Sequence, residues 1–197
     1  MIKVRQVAII SILSAAFLTA CTRDTGIKQY NKLVDSELAA GRRADTIFFG
    51  IYFGMPSKEF FVHCWNLNKK GLFTDGNNNT AVLYKLRRHE LKFPASMNFY
   101  PEFNADKINR MLVTFDYDSW APWNKETFSD KLLPDVLNLY KKWYPRGNAF
   151  IEMEDKEKGR KIYIKVDGNR RIIIGRYNDR VVRADYTDML VERQLKK

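Results

Sequence analysis

The apolar positions of this chain change their spacing several times, and each change marks an element. Val7 to Ala20 is apolar apart from small hydroxyl side chains, with Lys3 and Arg5 ahead of it. A stretch of about fourteen residues is shorter than the roughly 20 that a helix needs to cross a bilayer, so it reads as the core of a signal peptide. Ile27, Tyr30, Leu33, Val34 and Leu38 then recur at helical spacing and predict a short amphipathic helix over 27–40, closed by Gly41. Such a helix either packs on the domain or spaces it from its attachment point. The run Ile47–Phe53 is short and almost wholly apolar, as expected of a buried extended segment.

Gly54-Met55-Pro56-Ser57-Lys58-Glu59 breaks that run and opens a helix. Proline is tolerated in a first turn because its missing N–H would have no partner there. Ser57 offers a capping oxygen, and Glu59 complements the positive end of the helix dipole. Phe60, Cys64 and Leu67 form the inward stripe, flanked by Phe61 and Trp65 on nearly the same face, and Lys69-Lys70-Gly71 ends the helix.

Thr74–Thr80 reads as a polar loop, and Ala81–Leu86 and Met97–Tyr100 read as strands joined by the basic segment of Arg87, Arg88, His89 and Lys92. Over 108–118, Met111, Val113, Phe115 and Tyr117 alternate with Leu112, Thr114, Asp116 and Asp118, which predicts a strand with one buried face. Phe128, Leu132, Val136, Leu139 and Trp143 place a second helix between Lys125 and Trp143, with Pro134 expected to kink it or to mark its start. The last quarter reads as a meander of four strands, 149–153, 161–166, 171–177 and 181–186. Turn chemistry at Lys158-Gly159, Asp167-Gly168-Asn169 and Asn178-Asp179 separates them, and a charged helical tail follows from Thr187. The consecutive Ile172, Ile173 and Ile174 leave the facing of the third of these strands open.

The expected architecture is α+β: two halves, each a helix followed by antiparallel strands, packed as one domain. Residues 1–20 form the signal peptide, 21–45 a tether with the short helix, and 46–197 the domain, with halves at about 46–118 and 119–197. Leu18-Thr19-Ala20-Cys21 resembles the lipobox of bacterial lipoproteins. That resemblance implies cleavage before Cys21, acylation of its thiol and new amine, and attachment to the cell envelope by several chains, which together hold a protein stably. Thr22 rather than Asp follows the cysteine, which by the retention rule of some envelope lipoproteins implies the outer membrane.

Composition narrows the function classes. The formal charge is +11 over 197 residues, and loss of Lys3 and Arg5 with residues 1–20 leaves about +9. Aromatic residues make up 14%, so a packed core is expected rather than disorder. With Cys21 acylated, Cys64 has no disulfide partner, and two histidines without a cysteine pair give no zinc or copper spacing, so neither metal nor cofactor is expected.

Around Gly54-Met55-Pro56-Ser57-Lys58-Glu59-Phe60 the chain resembles the Gly-Met-x-x-x-Glu helix start of the SmpA/OmlA lipoproteins, the BamE-like group, and of the related β-lactamase-inhibitor-like repeats. The resemblance covers the anchor, about fifteen residues near position 55 and the coarse helix-then-strands order. It implies a small envelope module that binds proteins through a sheet face. Pro56 departs from the usual Ser or Thr cap of that family, and the second half lacks the Gly-Met start.

Three constellations invite chemistry. His63-Cys64 offers a nucleophile and a base, but neighbours on a helix point about 100° apart, and the core reading of Cys64 stands beside the catalytic one. Asp116 and Asp118, with Glu152, are the carboxylates on which an enzyme acting on an envelope polymer would depend. Basic residues crowd the final meander, with Tyr163 and Tyr177 among them. Lys161, Tyr163, Lys165, Arg171 and Arg183 are the candidate anion- or partner-binding set. This set implies an anionic lipid or glycan rather than nucleic acid, which an exported protein does not meet. Solubilising charges on exposed strands account for the same pattern. No P-loop, dinucleotide fingerprint, Gly-x-Ser-x-Gly or His-Glu-x-x-His sequence occurs. The expected role is a lipid-anchored binding or scaffold module; the alternatives are the envelope-polymer enzyme and an electrostatic binder using a basic sheet face.

Overall fold

A computed structural model describes residues 22–76, 80–155 and 159–196. The expected signal peptide and Cys21 lie outside them. The fold is α+β, with one antiparallel sheet of eight strands. The first half runs α2 (Ser57–Lys69), β1 (Phe73–Gly76), β2 (Ala81–Leu86), β3 (Ala95–Asn104) and β4 (Lys107–Tyr117). The second runs α3 (Ser129–Trp143), β5 (Ile151–Asp155), β6 (Arg160–Asp167), β7 (Arg170–Arg176) and β8 (Val182–Asp188). Two further helices flank these halves, α1 (Thr22–Ala39) before them and α4 (Met189–Leu195) after them.

The strand order is β1-β2-β3-β4-β8-β7-β6-β5, so each half contributes its last strand to the middle. The expected halves therefore exist as repeats of element order, but they share one sheet. The seam is the β4–β8 pair, where Met111, Val113 and Phe115 lie opposite Tyr186, Ala184 and Val182. All six are fully buried beneath α3 and the 47–53 segment, on what we call the front face. The alternation that predicted β4 thus places its apolar side chains as expected, with Tyr117 included.

Five local expectations need correction. Ile47–Phe53 is buried, but it forms a tight loop rather than an extended segment: Ile51 N–H donates to Phe48 O, and Phe49 and Gly50 both take positive φ. Ser57 does not cap α2; Pro56 holds that position and the Ser57 hydroxyl bonds Asp106 instead. Phe73–Gly76 is an edge strand, not part of a polar loop, because Phe73 packs inward while its backbone pairs with β2. Pro134 does not start α3, which begins five residues earlier and runs through it. Thr187 and Asp188 still belong to β8, and the tail helix begins at Met189.

Among the described residues, helices cover the back face over the second half only. There α1 lays Tyr30, Leu33, Val34 and Leu38 against Ile162, Ile164, Val166 and Ile173, and Met189 at the start of α4 joins them. The isoleucine run is thereby resolved, with Ile172 and Ile174 facing front and Ile173 back. α1 is therefore packed on the domain rather than a free spacer. Its C-terminal end is fastened at Glu37, a buried carboxylate that accepts from Gly168 N–H (2.7 Å) and the Asn148 amide (2.9 Å) and pairs with Arg42 (3.1 Å). Burial alone would raise the Glu37 pKa, but these donors together hold it below the usual value. Arg43 then bridges Asp45 and Asp188, and Ala44 N–H donates to Asn169, so the chain leaving α1 is bound along its length.

Candidate functional site

Sheet register separates the five residues expected to bind an anion. Lys165 lies opposite Ile172 and so shares the front face with Tyr163 and Lys161. Arg171 pairs with Val166 and Thr187, and Arg183 with Gly175, which puts both arginines on the back. A single ligand does not reach both groups.

Each charge is also engaged. Lys161 meets Glu152 across the β5–β6 pair at 2.6 Å, which raises the pKa of the ammonium and lowers that of the carboxyl. Tyr163 stands opposite Glu152, its phenol pKa raised by burial and then by that carboxylate. Lys165 is only 3% exposed; it donates to the carbonyls of Arg146 and Asn148 and lies 3.3 Å from Asp167. It is an internal strut for the 146–149 loop. Arg171 ties Glu192 of α4 (3.0 Å) to Tyr30 of α1 (3.2 Å). Arg183 is half-buried beside Asp185, which also takes a two-nitrogen contact from Arg110.

The catalytic constellations do not assemble either. Asp116 is held by Arg180 (2.6 Å), and Asp118 by Lys85 (3.0 Å) and the Ser96 hydroxyl (2.6 Å), all on the back of the first half. Glu152 sits in β5, the strand at one edge of the sheet and four strands from β4. With Lys161 beside it, its carboxyl stays ionised rather than available as an acid. Cys64 is buried and burial pushes its thiol pKa up to about 12, the opposite of an activated nucleophile. His63 turns away, with Nε2 2.7 Å from the Phe49 carbonyl. Among the described residues, no group of three or more His, Cys, Asp or Glu side chains lies within reach of one metal ion, and no helix is long and apolar enough to cross a membrane.

What the structure does present is an apolar stripe on the outer side of α2. Phe60 and Cys64 face the core as expected, but Phe61 and Trp65, four residues apart, point the other way and are 49% and 57% exposed. Val62 is exposed beside them, and Lys69, a further turn along, lies 3.3 Å over the Trp65 ring. Phe61 continues through Phe103 (6.3 Å between rings), and Phe60 touches the half-exposed Tyr100 (6.4 Å). The stripe therefore extends from the helix onto the long β3–β4 ribbon. Its sequence signal was the width of the apolar arc: Phe60, Phe61, Val62, Cys64, Trp65 and Leu67 cover more of the circumference than one buried side uses.

A separate open groove of about 560 Å³ lies between Lys32, Leu33 and Ser36 of α1 and the chain at 148–152 leading into β5. Comparison with protein-family models, curated proteins and solved structures finds no match to this chain.

Proposed function

We propose that the protein is a lipid-anchored lipoprotein of the bacterial envelope that works as a binding module, docking a protein partner on the α2 stripe. The observation that carries the docking role is the exposure of Phe61, Val62 and Trp65 on one side of a helix whose other side is buried. Clustered exposed aromatics on a rigid element are what partner proteins cover, and Trp and Tyr are over-represented among the residues that dominate binding energy. The anchor rests on the sequence of residues 1–21. The envelope-polymer enzyme finds no support in the separated carboxylates, nor the basic-face binder in cations divided between two faces.

The test is capture from envelope extract by the soluble chain from Thr22, washed at low and high salt, alongside its Phe61→Ala/Trp65→Ala variant. A protein retained at high salt by the parent and lost with the variant supports the reading. A partner equally held by both sinks the stripe, and a polyanion released by salt favours the electrostatic reading. Fractionation of a Cys21→Ala chain tests the anchor, which fails if the variant still partitions with membranes.

A further inference from the structure

The directions of the strands gather four chain segments at one end of the sheet. They are the β2–β3 connection (87–94), the β4–α3 connection (118–128), the β7–β8 connection (177–181) and the ends of β5 and β6 at Asp155 and Arg160. The first two are joined by Lys92 Nζ to Glu126 (3.5 Å), and Lys92 N–H is bonded to Asp135 of α3. The second and third are joined by Arg180, whose guanidinium lies 5.5 Å over Trp120.

Within the 118–124 loop the two tryptophans behave oppositely. Trp120 is half-buried, 6.2 Å from Phe128, and turns closed by Trp120 N–H to Tyr117 O (3.1 Å) and Asn124 N–H to Ala121 O (3.0 Å) fix the backbone. Trp123 projects from this fixed loop and is 83% exposed, more than any other large hydrophobic side chain among the described residues. Arg87, Arg88 and Lys125 are exposed at the same end. Of its acids, Glu126 pairs with Lys92, Asp118 with Lys85, Asp179 with Arg176 and Asp130 with Lys131, while Glu90 accepts from the Tyr84 hydroxyl and the Arg87 N–H.

α1 emerges at this end too. Glu37 meets Gly168 at the opposite end of the sheet, and Gln29 and Ser36 flank the groove beside Glu152 and Asn148, so the helix runs antiparallel to β5. Gly26 lies against Met153. From Gly26 back to Thr22 is about 6 Å of helix, and from Met153 on to Asp155 is about 7 Å of strand. The start of α1 at Thr22 therefore lies at the same end of the sheet as the loop that carries Trp123, with the width of the second half between them.

We propose that this end is the bilayer-facing end of the molecule: Trp123 inserts among the headgroups of an anionic phospholipid surface while Arg87, Arg88 and Lys125 meet their phosphates. Indoles partition to the headgroup level, and basic side chains are attracted to anionic leaflets. The proposal deepens the anchored reading above and rests on it for the origin of the tether. The α2 stripe runs along the flank of the sheet, from Ser57 beside Asp106 toward Lys69, and stays open to a partner when the loop end is down.

The test couples the chain from Cys21, which carries every described element, through that thiol to maleimide-phosphatidylethanolamine in vesicles of phosphatidylcholine, phosphatidylglycerol and brominated phosphatidylcholine. The buried Cys64 does not compete. Tryptophan quenching by the brominated chains is expected, with Trp123→Phe removing most of it and Trp65→Phe leaving it unchanged. The reverse pattern, or quenching indifferent to Trp123, overturns the proposal. For the uncoupled chain from Thr22, Arg87→Ala/Arg88→Ala should weaken sedimentation with phosphatidylglycerol-containing vesicles by roughly tenfold or more; unchanged partition also overturns it. Because the coupling is chemical, these outcomes are independent of whether cells acylate Cys21, which the fractionation of Cys21→Ala answers separately.

Discussion

Lys165 illustrates how a charge that reads as surface in the sequence becomes structural. Its ammonium is enclosed by two carbonyls and Asp167, and Arg170 shares that carboxylate at 3.1 Å. Removing it leaves both carbonyls short of a donor, so Lys165→Met should cost about 2–4 kcal/mol in urea unfolding. A surface lysine would cost almost nothing, and that result would refute the strut. Glu37 makes a pH prediction. Its pKa is lower folded than unfolded, so the stability it supplies is full above the ordinary carboxylate range and is lost as pH falls through the lowered value. The stability gap between the parent and Glu37→Gln should therefore be widest near pH 7, and should narrow as the pH falls through the ordinary carboxylate range and close once it passes the lowered value. Neither role was legible in sequence, because a lysine and a glutamate in a basic, polar context carry no mark of burial. The reading of Cys64 as a core residue was legible from its place on the Phe60–Leu67 stripe. Its thiol should resist iodoacetamide at pH 8 in the native protein and react on unfolding.

Among elements, those with strict periodicity were the easiest to foresee. β4, α3 and the inward side of α2 follow directly from apolar spacing, since that spacing is what the core reads. β1 escaped because one buried side chain, that of Phe73, gives a four-residue edge strand no period, and its backbone pairing is supplied by β2. The loop at 47–53 escaped because apolar residues bury equally well in a tight turn as in a strand. The β6–β7 turn was foreseen, but not its second task. Gly168 holds φ +54 and donates to Glu37, and a Cβ there would sit 2.5 Å from the Arg42 carbonyl oxygen. Gly168→Ala should therefore cost more than the ~1–2 kcal/mol of a left-handed alanine, because it also pushes against the chain leaving α1. Protease sensitivity near Arg42 should rise with it, whereas Gly54→Ala, where no atom lies within 4 Å, should show only the backbone penalty.

Across the whole molecule, the two repeats of element order meet at one antiparallel seam. Sequence alone separated the halves but not their union, because the β4–β8 pairing joins residues more than 60 positions apart and leaves no local signature. The seam should be intolerant of added volume. Ala184 is fully buried opposite Val113, and Ala184→Leu should destabilise by about 1–3 kcal/mol and lower the thermal midpoint of both halves in one transition. Two separate transitions would mean that the halves hold independently.

The covering of the back face has a consequence for the order of events during synthesis. α1 is the first described element to be made, yet the surface it needs comes from β6, β7 and the start of α4, more than a hundred residues later. Until those strands pair, its apolar stripe has nowhere to go within the chain, and until it docks, Ile162, Ile164 and Ile173 stay bare. The first described element to be made is thus among the last to settle, and a chain stopped before Arg160 carries an unfinished sheet and an unclaimed helix at once.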